Sequence, residues 1–309
     1  MKFGFSLVVR GNDATPDTFA RIAERAESLE IDSLWLSAHV ILPPQVKSGY
    51  VLIPGRKHPE NWKECYWEPF TVLAYLAGLT RKVVLGTSVV IVPMHNPIEL
   101  AKQVAEVDRL SGGRFVFGIG VGWFEEEFEV LGQAFGNRGA RTDEAMSLMK
   151  ALWSPDPVSF SGRYHRVENA RFSPKPVQQP HPPIWVAGAS EAALRRAARI
   201  GDAWHPARPS FELLEKAGKD LERYVEEAGR APGSVAVAVK CPMIFQDGPP
   251  SGDQPPTQGR ASDIADAVER YRDAGASHFV FDFLPETLSV ALDTMERFAE
   301  EVRPRLENR

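Results

Sequence analysis

The 309-residue chain predicts an α/β protein of the (β/α)8 barrel class. Eight short apolar runs alternate with segments of helical periodicity, and most of the runs are apolar at every position instead of at every second one. Unbroken apolarity marks strands covered on both faces, as in a parallel sheet, and eight such units suit a barrel of about 300 residues. A doubly wound open sheet uses the same alternation and stays open at this level.

The elements follow in order. "KFGFSLV" reads as the first strand, residues 16–29 as a helix, and "IDSLWLS" as the second strand. Residues 40–67 carry proline, glycine and tryptophan and read as a long loop, followed by a helix over 69–80. "KVVLGTSVVIV" (82–92) is the third strand, with a bend expected at Gly86. Asn96, Pro97 and Glu99 have the order of a helix cap, a first-turn proline and a capping carboxylate, and Gly112 and Gly113 end that helix. "RFVFGIG" is the fourth strand, with helices over 124–134 and 138–152 after it. The proline-rich stretch 154–183 is a second excursion. "PIWVAG", "GDAWHP", "SVAVAVKCPM" and "ASHFVFDF" complete the eight strands, with helices over 190–199, 210–228, 261–274 and 286–302. Residues 247–259 have the composition of a mobile loop. The expected organisation is one barrel domain over 1–309, with 40–67, 154–183 and 247–259 as loop insertions.

Bulk properties narrow the class of function. A net charge of −5 offers no electrostatic footprint for nucleic acid. Two cysteines, Cys65 and Cys241, make no disulfide framework. "MKFGFSLVV" turns polar too soon for a signal peptide, and no apolar run is long enough for a membrane span, so a cytoplasmic location is expected.

In a barrel, ligands meet the C-terminal strand ends. That rim would hold Ser37 to His39, Thr87 to Val89, Gly118 to Trp123, Gly188 to Ser190, Trp204 with His205, Lys240 with Cys241, and Asp282. Within it, Gly118, Gly120 and Gly122 miss the dinucleotide spacing, which needs its third glycine three positions after the second. They either relieve crowding where a strand leaves the barrel or let a flat ring lie against bare backbone. The run Glu125–Glu127 reads as a favourably placed first helical turn on a wet face. Gly188, Ala189 and Ser190 precede a helix, so their amides suit a phosphate, although Ser190 is equally an ordinary cap. No zinc spacing and no nucleophile elbow occur, which disfavours a cofactor-free hydrolase.

Taken together, "LEIDSLWLSAHVILP" (29–43), "VVLGTSVVIVPMHNPIELAKQVAEVDRLSGGRFVFGIGVGW" (83–123), "RGARTDEAMSLMKALW" (138–153) and "PPIWVAGASEAALRRAARIGDAWHP" (182–206) resemble the luciferase-like oxidoreductase superfamily, in its F420-dependent branch. The resemblance covers about two thirds of the chain and implies a TIM barrel. It also implies coenzyme F420 and a hydride exchanged with a small-molecule substrate. His39 would approach the deazaflavin ring and act in proton transfer. A non-proline cis peptide would lie at Ser88–Val89, with Thr87 beside it, under the ring. Gly118, Gly120, Gly122 and Trp123 would border the cofactor, Gly188, Ala189 and Ser190 would take its phosphate, and His205 would line the rim. Ala38 departs from the branch, where an acidic residue often precedes the histidine.

The segments 40–67 and 247–259 are expected to cover the mouth, and Tyr50, Trp62, Tyr66 and Trp67 in the first suggest an apolar or planar substrate or, equally, a subunit contact. Three rival readings use the same barrel or replace it: an FMN-dependent monooxygenase served by a separate reductase, a non-catalytic cofactor-binding protein, and the disfavoured hydrolase. A homodimer is expected from the family.

Overall fold

In a computed structural model, which describes residues 1–43, 66–252 and 254–307, eight parallel strands close into a barrel. They are β1 (Lys2–Ser6), β2 (Ser33–Leu36), β3 (Val84–Thr87), β5 (Phe115–Gly120), β8 (Ile184–Ala187), β9 (Ala203–His205), β10 (Ala236–Phe245) and β12 (Ala276–Phe283). Each pairs with the next, and β12 returns to β1 with Phe3 opposite Phe279 and Phe5 opposite Phe281. The open doubly wound sheet is thereby excluded, because a closed ring leaves no strand edge to wind around.

The helices cover this ring from outside. They are α1 (Pro16–Ser28), α2 (Pro69–Leu79), α3 (Pro97–Leu110), α5 (Arg138–Trp153), α6 (Glu191–Ile200), α7 (Phe211–Glu227), α8 (Ala261–Asp273) and α9 (Leu288–Arg297). Their caps are local: the Asn96 side chain accepts from the amides of Ile98 and Glu99, and Ser190 accepts from Ala193. The apolar strand residues account for the core, with Phe5, Phe115, Phe117 and Phe281 fully buried between barrel and helices.

Five expectations need correction. The run 82–92 is not one bent strand: β3 stops at Thr87, a short β4 (Val90–Ile91) pairs separately with β5, and a 3-10 turn follows over Val92–Met94. Gly86 is needed for another reason, since a Cβ there would sit 2.3 Å from the Trp35 ring. The excursion 154–183 contains an antiparallel hairpin of β6 (Val158–Ser161) and β7 (Arg166–Ala170). The helix expected over 124–134 is the single short α4 (Glu125–Val130), closed by Gly132 at positive φ. The last helix breaks into α9, a π turn over Phe298–Val302, and α10 (Arg303–Glu307). In the stretch 247–259, β11 (Gln258–Gly259) extends the sheet beside β10. Tyr50 and Trp62 lie outside the described residues. Among those described, no helix is long and apolar enough to cross a membrane.

Candidate active site at the C-terminal mouth of the barrel

The break between β3 and β4 organises the mouth. Thr87 Oγ1 donates to the Gly118 carbonyl at 2.8 Å and accepts from the Gly118 amide at 2.9 Å, so one hydroxyl takes the place of a backbone ladder rung. The approach is close: a Cβ on Gly118 would lie 1.8 Å from the Thr87 carbonyl oxygen. On Gly120 it would meet Val89 at 2.9 Å, and on Gly122, at φ +81°, Ile91 and Phe128 at 2.7 Å. The three alternating glycines therefore make room for the displaced β3 backbone, the crowding-relief reading of the two left open by the sequence. The Ser88–Val89 peptide is cis, at the bond the family resemblance implies.

Ser88 is held on every polar atom. Its amide donates to Leu36 O at 2.6 Å, and its hydroxyl lies 2.8 Å from His205 Nε2. Its carbonyl accepts from Ser37 Oγ at 3.2 Å and from Lys240 Nζ at 3.3 Å. His205 Nδ1 lies 2.6 Å from the Ala238 carbonyl, which can only accept, so Nδ1 carries the hydrogen and Nε2 accepts from Ser88. Burial pulls the His205 pKa down to about 4, which keeps the ring neutral. His205 was expected to line the rim. It is instead buried, packed against Trp35 and Trp185 inside the barrel, and meets the mouth only through the Ser88 hydroxyl.

His39 follows β2, half-buried, with its Nδ1 2.8 Å from Glu127 Oε2. The other Glu127 oxygen accepts from the amides of Val40, at 2.6 Å, and Ile41, at 3.3 Å. Glu127 thus orients the imidazole and fixes the chain that leaves β2. The wet-face reading of the acidic run holds for Glu125 alone, since Glu126 and Glu127 are buried. The missed signal was helical spacing: Glu127 falls three positions after Phe124 and one before Phe128, both fully buried, so it shares the inward face of α4. Tyr66 and Phe124 pack edge-on against His39.

Across the mouth runs a polar arc of which the sequence placed only Lys240 and Asp282 on the rim, without a role. Asp282 Oδ1 accepts from Ser6 Oγ at 2.6 Å and pairs with Lys240 Nζ at 3.3 Å, while Arg208 lies 4.0 Å from Oδ2. Arg10 forks onto Glu286 and reaches Tyr66 Oη at 2.9 Å. Burial raises the Glu286 pKa, partly opposed by Arg10.

With this geometry in view, a model of the luciferase-like monooxygenase family matches residues 1–250. The chain belongs to that family. It is 27% identical over 290 residues to an uncharacterised Mycobacterium tuberculosis protein, covering 91% of this chain and 93% of the relative. It is 30% identical over 183 residues to an FMNH2-dependent dimethylsulfone monooxygenase of Pseudomonas putida, covering 58% of this chain and 49% of that enzyme. In structure it is similar to the coenzyme F420-dependent tetrahydromethanopterin reductase of Methanopyrus kandleri, with a TM-score of 0.79, 17% identity and 99% of both chains covered.

The luciferase-like barrel gathers most of the sequence-predicted residues around one mouth. Val89 is half-buried between buried Ser88 and Val90, with its side chain over Gly118 and Gly120. Trp123 is half-buried and stacks on Phe124. Gly188, Ala189 and Ser190 are exposed beyond β8, where the Gly188 carbonyl accepts from Trp204 Nε1 at 2.7 Å. Gly118 and Gly120 lie one layer deeper, and Trp67 is turned aside, its indole donating to Ala14 O at 2.9 Å.

Proposed function

We propose that this luciferase-like oxidoreductase binds coenzyme F420 at the C-terminal mouth and exchanges a hydride with a small organic substrate. The observation that carries the reading is the buried Glu127 carboxylate holding His39, the residue that the family resemblance places beside the deazaflavin, at the same mouth as Val89.

The residues present fit a planar ring with an anionic tail. Val89 offers an apolar platform, His39 and Trp123 stand half-buried, and exposed Gly188–Ser190 lead into the N-terminus of α6, where backbone amides and the helix dipole favour phosphate. Bound F420 supplies the hydride chemistry itself. The protein supports the ring from the Ser88–Val89 side, with Gly118, Gly120 and Gly122 admitting that backbone and Thr87 tying it to β5. Glu127 holds His39 at Nδ1, which orients the imidazole at the mouth for proton exchange.

A second reading is an FMN-dependent monooxygenase supplied by a reductase, and the 30% identity to the dimethylsulfone monooxygenase favours it. Fluorescence titration of cofactor-free protein with F420 and with FMN separates the two. F420 binding tighter than FMN by tenfold or more supports hydride transfer, to be followed by a substrate screen on F420 absorbance. The reverse order overturns it and directs the search to oxygen consumption with reduced FMN.

A further inference from the structure

We infer that Lys240 is a positioning residue that holds the Ser88 carbonyl from the opposite side of the barrel, and so sets the platform on which the cofactor ring rests. The inference builds on the cofactor reading above.

In the ring of strands β10 stands four places from β3 in either direction, so the Lys240 side chain crosses the barrel interior to reach the β3 break. Its ammonium has three donors and meets three acceptors there: Ser37 Oγ at 3.1 Å, Ser88 O at 3.3 Å and Asp282 Oδ1 at 3.3 Å. The side chain is 12% exposed, and a cation so placed persists because its charge and every donor are matched. Asp282 is itself fixed by Ser6 Oγ at 2.6 Å. The Ser37 hydroxyl accepts from Lys240 while donating to the same Ser88 carbonyl, which closes a three-membered hydrogen-bond ring. With His205 on the Ser88 hydroxyl and Leu36 on its amide, the segment is pinned from β2, β9 and β10. The lysine is spent on backbone geometry and is therefore a poor candidate for an anion-binding charge.

The test pairs Lys240→Met with Asp282→Asn, so that neither member of this pair is left as a buried unpaired charge. Amide hydrogen exchange on the cofactor-free protein reads the anchor directly. Exchange in residues 88–91 should rise at least tenfold, with the β10 and β12 amides unchanged. The dissociation constant for the preferred cofactor should rise at least tenfold, with a shifted absorbance spectrum of the bound ring. Lys240→Arg should restore the spectrum, which a merely structural loss would not allow. If the double variant does not fold, Lys240→Gln carries the same measurements, because its amide is one bond too short to reach Ser88. Wild-type exchange over 88–91, or raised exchange with wild-type affinity and spectrum, overturns the inference. If the wild-type protein binds neither F420 nor FMN while exchange rises in the variant, the anchor stands and the cofactor reading falls.

Discussion

His39 Nδ1 lies 2.8 Å from Glu127 Oε2, across 88 positions of chain, and the same carboxylate takes the amides of Val40 and Ile41. One buried acid thus sets both the ring at the mouth and the path of the backbone leaving β2. Glu127→Gln keeps the shape and removes the charge. Hydrogen bonds to a charged group are worth about 1.5–3 kcal/mol, so cofactor affinity or turnover should fall roughly 10- to 100-fold. Cofactor titration and steady-state rates with Glu127→Gln check this, with circular dichroism to show that the barrel is intact.

His205 makes stability depend on pH. Its folded pKa, about 4, is depressed below the ordinary 6.5 by burial, with Lys240 lowering it further and Asp282 and the Ala238 carbonyl opposing. Between those values the unfolded chain binds more protons than the folded one, so stability rises with pH. The contribution is complete above about pH 6.5 and is lost as pH falls toward 4, on the order of 3 kcal/mol in all. Melting of wild type and His205→Gln between pH 4 and 7 tests it: the variant should show a shallower slope in that window.

Two glycines should respond oppositely to alanine. A Cβ on Gly118 would strike the Thr87 carbonyl at 1.8 Å, and backbone cannot step aside, so Gly118→Ala should destabilise by about 3 kcal/mol or more. Gly78, on the exposed face of α2 with nothing within 4 Å, should gain about 0.5–1 kcal/mol from lower unfolded-state entropy and better helix propensity. Urea denaturation of both variants reads the sign directly.

Cys241 is buried, and burial pushes its thiol up to about 12. At pH 8 it therefore stays protonated and sheltered, and reaction requires unfolding. In a Cys65→Ser background, a disulfide reagent should titrate no thiol in native protein over minutes and one thiol in denaturant. Rapid native reaction would show that β10 opens far more readily than its burial implies.

The periodic parts of this molecule can be read from residue order because the forces behind them are local. Continuous apolar runs mark strands buried on both faces, and Asn96 with Pro97, or Ser190, mark helix starts within a turn of the residues they serve. That much placed His39, Ser88, Lys240 and Asp282 at strand ends. Their partners were another matter. Glu127 looked like a solvated first turn because charge pattern alone does not reveal which face of a short helix turns inward. The three glycines left two readings open because a vacant Cβ position does not say whether protein or ligand fills it; here Thr87, Val89 and Ile91 do. Lys240 meets Ser88 only because closing eight strands into a ring sets β10 opposite β3, a distance in space that separation along the chain does not encode.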